Sequence, residues 1–312
     1  MNIEKIAVLL STYNGEFYIE ELVDSILNQT YSNFHLFIRD DCSTDSTLAI
    51  LTGKYNQNNN VTIILSSENL GVTQSFSELL SYVLNYDDFL YFMFADQDDV
   101  WLNDKILISY KAIKKTKNEI PTIIHTDMYV TDHKLKIISN SFWHYQNINP
   151  KLCSLNRILL QNVVTGCNMI FNKALANKAY PIPEDAIIHD WWTSLIASTF
   201  GNIYYLNEPT MYYRQHSSNA IGASKFNFKY VMSRFAHMRT INFNLLQARK
   251  FKEIFENELD EKRLNVLNTF CSLCDETVYK RIVNVFKYKF FKNGFTRNIG
   301  YLIYIIFYLR EK

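Results

Sequence analysis

Asp96, Asp98 and Asp99 stand within four residues, directly after the apolar run FLYFMF (89–94). An arbitrary DxDD is ordinarily a solvated turn or a helix N-cap. The run before this one is too apolar for a surface loop, so these acids end a buried strand. Carboxylates crowded into one site repel one another unless a cation intervenes. Oxygen-only ligation suits Mg2+ or Mn2+ better than zinc. Mg2+ commonly joins one or two carboxylates to substrate phosphates, which makes a nucleoside diphosphate the natural partner. Asp40 ends another apolar run, Phe34–Ile38, and is placed to accept the imino N–H of a pyrimidine base. Its neighbour Asp41 reads first as the cap of the next helix and second as a ligand contact.

The elements that must carry these acids alternate. Ile6–Ser11, Phe34–Ile38, Val61–Leu65 and Phe89–Phe94 are short apolar runs, read as buried parallel strands. Between them, Ile19, Leu22, Val23, Ile26 and Leu27 have helix spacing, a second helix starts near Thr47, and a third covers Thr73–Leu84. Strand-helix alternation of this kind predicts an α/β fold, a mostly parallel sheet with helices on both faces. In such sheets ligands bind beyond the carboxyl ends of the strands. There lie Thr12-Tyr13-Asn14, Asp40-Asp41 and Asp96-Gln97-Asp98-Asp99. No GxGxxG and no GxxxxGK[ST] occurs at the first turn, so dinucleotide and P-loop sites are excluded. Further on, Ile123–Asp127 and Val163–Phe171 read as strands, His189 opens a helix to about Thr199, and Tyr204–Leu206 and Thr210–Tyr213 read as short strands. Arg214–Ser224 is a polar loop, and helices follow from about Phe226.

The chain has 312 residues, 48% hydrophobic and 20% charged, which excludes a disordered or collagen-like protein. A net charge of +1 argues against nucleic acid as a partner, yet it is unevenly spread. Residues 1–222 carry 15 basic and 23 acidic side chains; residues 223–312 carry 17 and 8. Five cysteines show no disulfide framework, and the CxxC at Cys271 and Cys274 reads as helix packing ahead of zinc or redox chemistry. The N-terminus has no cleavage-site pattern, so the expected compartment is the cytoplasm. Ile299–Leu309 is apolar throughout, but eleven helical residues reach only roughly 16 Å against a hydrocarbon core of about 30 Å. Flanked by basic and aromatic residues, it suits an in-plane helix on the anionic inner leaflet, or else a terminal helix packed on the protein's own core.

The blocks STYN (11–14), IRDDCSTDST (38–47), ENLG (68–71), FADQDDVW (94–101) and HDWW (189–192) resemble the family 2 inverting glycosyltransferases of GT-A fold. HTD (125–127), TGCNM (165–169) and YRQHSSNAIGA (213–223) resemble, within that family, bacterial rhamnosyltransferases of cell-wall and surface-polysaccharide synthesis. The resemblance covers about residues 4–224 and implies a catalytic domain 1–224 with a helical region 225–312. It implies a nucleotide-sugar donor held by Thr12, Tyr13, Asn14, Asp40, Asp96 and Arg214. Thr12 and Asp40 would line the base and Asp96 the ribose. Asp98 would ligate Mg2+ or Mn2+ under the diphosphate, supported by Asp99, with His216 a further ligand. Arg214 and His216 would lie in a loop closing over the diphosphate, and Asp190 would be the general base. Two departures stand out: Cys42 where the family usually has Gly or Asn, and His189 where many relatives carry Glu.

Such an enzyme would move a sugar, with dTDP-rhamnose the expected donor, onto a saccharide or lipid-linked saccharide acceptor. It would work at the inner face of the membrane, brought there by the basic-aromatic C-terminus. UDP-hexose and UDP-N-acetylhexosamine donors are the alternatives. Trp191 or Trp192 would stack on the acceptor, or both are core aromatics. His125, Asp127, Gly166 and Asn168 are acceptor contacts or structural groups. Two other classes compete: a non-catalytic sugar-nucleotide-binding module, which needs no Asp190, and a nucleotidyltransferase, which wants a glycine-rich basic first loop that Thr12–Gly15 does not supply.

Overall fold

The computed structural model describes residues 4–216 and 240–309. The first four apolar runs form strands β1 (Lys5–Thr12), β2 (Phe34–Asp40), β3 (Val61–Leu65) and β4 (Phe89–Asp96). Then come β5 (Val100–Trp101), β6 (Thr122–Thr131), β7 (Ile137–Ser139), β8 (Met169–Asn172) and β9 (Asn202–Arg214). Among the described residues they make one nine-stranded sheet, ordered β3-β2-β1-β4-β8-β6-β9-β5, with β7 on β6. β3, β2, β1 and β4 are parallel. Beyond β4 the sheet is mixed: β8 runs antiparallel to β4 and β6, β9 parallel to β6, and β5 antiparallel to β9.

Helices α1 (Ile19–Leu27), α2 (Thr47–Tyr55), α3 (Gly71–Leu84) and α4 (Lys105–Ile113) link the first strands. α5 (Phe142–Gln146), α6 (Leu155–Ile158), α7 (Lys173–Ala179) and α8 (His189–Phe200) lie in the second half. In α1 the buried residues Ile19, Leu22, Val23 and Ile26 form one apolar stripe. β1 shows why the sheet is covered on both faces. Ile6, Val8 and Leu10 pack with α1, α2 and α4, while Ala7 and Leu9 pack into a second cluster with α3, α7 and α8.

Three expectations need correction. Val163–Phe171 is not one strand. Residues 161–165 are irregular, Gly166–Asn168 is a single 3-10 turn, and only Met169–Asn172 joins the sheet. The Gly166 N–H bonds a side chain instead of a ladder carbonyl, which is why the ladder fails there. Conversely, the two short strands after residue 203 are one strand, β9, whose register slips between Leu206 and Pro209. Proline has no N–H for a ladder and fits such a slip. Asp41 caps a helix, but not the next one. It accepts from Leu70 N (2.9 Å) and Gly71 N (2.8 Å) at the start of α3 and pairs with buried Arg39. Asp45 serves α2, through Thr47 N at 2.9 Å.

The C-terminal helices are α9 (Thr240–Phe255), α10 (Glu261–Cys271), α11 (Val278–Lys287) and α12 (Phe295–Phe307). They extend the second cluster: Phe251 and Phe255 pack on Trp192, and Leu267, Phe270, Val285, Tyr304 and Ile305 join the same apolar body. Cys271 and Cys274 are buried free thiols among them. Arg281 of α11 donates to the carbonyls of Ile305 (3.2 Å) and Leu309, satisfying acceptors at the end of α12. Thus α12 docks on the protein by one face, while Phe295, Ile299 and Phe307 stay exposed on it. No helix among the described residues is long and apolar enough to cross a membrane. Ile305→Ala is expected to cost about 2–5 kcal/mol, read as a lower denaturant midpoint; an unchanged midpoint would mean that α12 is not docked.

Candidate active site

The parallel ladder brings three polar exits side by side. Thr12 is in register with Asp40, and Ser11 with Asp96. Asp40 is buried; its Oδ2 accepts from Ser43 N (3.0 Å), and its Oδ1 has no partner, an open acceptor beside Thr12. Gln97, to which the sequence reading assigned no role, ties two exits together. Its Oε1 accepts from Thr12 Oγ1 (2.7 Å) and Tyr13 N (2.8 Å), and its Nε2 donates to Tyr13 O (3.0 Å). Tyr13 leaves its ring half exposed. Asn14 has a left-handed φ of 50° and accepts from Thr44 N (2.8 Å), so it stitches the first loop to the second. Cys42 also has a positive φ, 63°, which accounts for the Gly or Asn usual there.

Beyond β4 the acids divide. Asp98 Oδ2 lies 2.9 Å from His216 Nε2, and His216 packs on Tyr18. Asp99 is buried against Asp96 and Cys167, with one ligand atom from each of the three within 4.8 Å of the others. Asp99 Oδ1 accepts from Arg214 N (3.1 Å), and its Oδ2 has no hydrogen-bond partner. Burial, with the charges of Asp98 and Asp190 added, pushes Asp96 up to about 7. Burial and its acidic neighbours hold Asp99 well above the usual carboxylate range. Buried Lys105, at the foot of the cluster, is lowered to about 8 by desolvation. Carboxylates so destabilised as anions, with an open buried oxygen and an imidazole on Asp98, fit a hard divalent cation. Burial and the acids beside it raise the Cys167 thiol.

Asp190 is the second residue of α8 and is buried. Its Oδ2 accepts from Gly166 N (2.8 Å) and its Oδ1 from Asn162 Nδ2 (3.2 Å). Burial raises it to about 6 against the pull of these donors. The 3-10 turn therefore joins the two acid sets: Gly166 holds Asp190, and the next residue, Cys167, sits against Asp96 and Asp99. A Cβ on Gly166 would come 2.9 Å from His189 Nε2, so the turn needs glycine. His189 stacks on Phe76 at 3.9 Å and is kept neutral by burial, near 3.

Several residues expected as acceptor contacts or structural groups have structural partners. Trp192 is core: its Nε1 donates to Ala179 O (3.1 Å) and its ring meets Phe251 and Phe255. Trp191 is half buried and donates to Ile158 O at 2.6 Å. Asp127 accepts from Phe142 N (3.0 Å) and Ser141 Oγ at the start of α5, which makes it a helix-capping acid. His125 makes no pair with it; the ring is buried, neutral and edge-on to Trp143. Asn168 is buried and donates to Thr126 O at 2.6 Å, holding the turn to β6. Arg214 was expected in a loop over the diphosphate. It is the last residue of β9 and buried, with Nε on Asp98 O (2.8 Å), Nη1 on His133 O (2.8 Å) and Nη2 on Glu21. It braces the acids from behind. The rest of that loop, 217–224, lies outside the described residues. Gln97, Cys167, Lys105, Asn162 and Glu21 were missed, because each acts through a partner distant in the chain.

Known proteins align with this arrangement. The sequence profile described as Glycosyl transferase family 2 matches residues 7–179. A dTDP-rhamnosyl transferase of Shigella flexneri, RfbG, is 32% identical over 241 residues, covering 71% of this chain and 76% of its own length. Among solved structures, Staphylococcus aureus TarS 1–349 in complex with UDP superposes with a TM-score of 0.56 at 17% identity, covering 91% of this chain and 72% of that one. The mannosyltransferase PcManGT of Pyrobaculum calidifontis, solved with GDP-Man and Mn2+, superposes with a TM-score of 0.56 at 15% identity, covering 90% and 72%. With a profile spanning more than half its length and a relative of this similarity, the chain belongs to glycosyl transferase family 2.

Proposed function

We propose that this glycosyltransferase is an inverting, metal-dependent enzyme that moves L-rhamnose from dTDP-rhamnose to a saccharide acceptor on a lipid carrier, in bacterial surface-polysaccharide synthesis. The observation that carries the chemistry is the Gly166–Asn168 turn, which links Asp190 to the acids beyond β4. The rhamnosyl donor is supported by the similarity to the Shigella dTDP-rhamnosyl transferase. The non-catalytic module loses ground because the site pairs a buried, donor-held carboxylate with a separate acid cluster.

Asp40, with its open Oδ1, takes the imino N–H of the base, and Thr12 lies beside it. Asp98 and His216 would hold the divalent cation. When bound, it neutralises charge that develops on the leaving diphosphate. Asp190 accepts the proton of the attacking hydroxyl, and one displacement inverts the anomeric centre. Incubation with a panel of dTDP-, UDP- and GDP-sugars is expected to give sugar transfer or hydrolysis with dTDP-rhamnose, stopped by EDTA and restored by Mn2+ or Mg2+. A UDP-sugar as the sole active donor would overturn the donor assignment, and full activity in chelator the metal role.

The base assignment has its own test. Asp190→Asn is expected to lower turnover about 10²–10⁴-fold while dTDP-rhamnose still binds. In the native enzyme kcat/KM should rise with pH through about 6, because a base must be deprotonated and burial raises this one. Near-normal transfer by the variant would refute the assignment.

The C-terminal helices supply the membrane contact in this reading. Residues 277–309 contain six Lys or Arg and no Asp or Glu. On α11 and α12, Tyr279, Val283, Phe286, Phe295, Ile299 and Phe307 are exposed. Cationic, aromatic and amphipathic together, they suit an anionic leaflet, which would put the site within reach of a lipid-linked acceptor. Because α12 is part of the core, only its exposed side chains and those of α11 are changed in the test. The triple variant Tyr279→Ser, Phe286→Ser, Phe295→Ser should fold and lose co-sedimentation with phosphatidylglycerol vesicles. Undiminished co-sedimentation would remove the membrane contact.

A further inference from the structure

Asn162 lies in the irregular stretch between α6 and the Gly166–Asn168 turn, where no ladder or helix fixes the chain. Its side chain is nevertheless held on three sides. Oδ1 accepts from Val164 N (3.1 Å), while Nδ2 donates to Val164 O (2.6 Å) and to Asp190 Oδ1 (3.2 Å). The segment before it is anchored to the chain between α11 and α12. Gln161 Oε1 accepts from Asn293 N (2.7 Å), Arg157 Nη1 donates to Phe291 O (2.9 Å), and Asn156 Nδ2 donates to Tyr288 O (2.9 Å).

We propose that Asn162 is a positioning residue for the transfer reaction: its amide, clamped by its own loop, fixes the Asp190 carboxylate and favours its charged form. The proposal rests on Asp190 being the base. An N–H donated to a carboxylate stabilises the anion and sets its orientation. Gly166 N holds Oδ2 of Asp190, so the Asn162 amide sets the rotation of the other oxygen. An aspartate at 162 would keep the acceptor for Val164 N but present no donor to Asp190.

The surroundings of Asp190 oppose its charge. Burial penalises it, and its charge in turn pushes up the Asp96 carboxyl on β4. His189, beside it on α8, is neutral and offers no compensation. The turn contributes Cys167, whose thiol faces Asp96 and Asp99 and stays protonated. The donors that favour the anion are Gly166 N, the Trp191 backbone and Asn162. Removing one of them shifts the balance toward the protonated, inactive form.

The test compares Asn162→Asp and Asn162→Ala with the native enzyme by pH profile, using sugar release from the donor active in the panel. Both variants should lower kcat at neutral pH by about ten-fold or more, the loss of a hydrogen bond to a charged group. Both should move the acid limb of kcat/KM to higher pH, Asn162→Asp further than Asn162→Ala because it adds a like charge. KM for the donor should stay within about two-fold, since no donor contact is removed. A merely structural asparagine would lower stability or raise KM and leave the limb in place; an unmoved limb in the folded Asn162→Asp variant overturns the proposal. Should Asp190→Asn retain transfer, the base assignment itself fails. An inactive Asp190→Asn with unmoved Asn162 profiles rejects the positioning role alone.

Discussion

Negative charge that is both crowded and buried shapes the carboxyl edge of this sheet. Asp99 and Asp190 are buried, Asp96 is partly buried, and Asp98 stands beside them. Each anion raises the free energy of the next, and low-dielectric surroundings screen little of it. A fold does not keep such a cluster for stability, since apolar residues of similar volume would pack at lower cost. The cluster would become favourable when positive charge arrives, which is what a divalent cation would provide. The surrounding structure holds the acids ready: Arg214 braces Asp98 and Asp99 through backbone and side chain, and Lys105 sits at their foot.

The Gly166–Asn168 turn joins the two acid sets. A strand at this point would have sent the Gly166 N–H into a ladder; the turn sends it to Asp190 instead. The two acid sets then meet at adjacent residues, Gly166 and Cys167. The C-terminal helices bear on the same place through Gln161 and Asn293. A region that resembles an appendage in sequence therefore supports the loop beside Asp190.

Much of this was readable in the chain. Alternating apolar runs and helical stripes placed β1 to β4, and the acids after Phe94 fell at the carboxyl edge of the sheet. The family resemblance supplied Asp190, which no local pattern distinguishes from a helix-capping acid. What escaped was partner choice. Asp41 and Asp127 have the residue type of ligands, yet both accept backbone N–H groups at helix starts. Trp192 has the type of a sugar platform, yet it lies in the core. Gln97 and Asn162 carry no chemical signature, and their roles arise from contacts 85 and 28 residues away. Periodicity reports burial, but the geometry of a site depends on which distant segment arrives opposite.

The central claim is that one cation-binding acid set and one base face the same pocket. Anomalous scattering from crystals grown with Mn2+ and dTDP tests it most directly. The account predicts a manganese peak at the Asp98 and His216 side chains, with the diphosphate on it and Asp190 facing the space beyond the outer phosphate. A peak elsewhere on the protein, or a diphosphate turned away from Asp190, would contradict it.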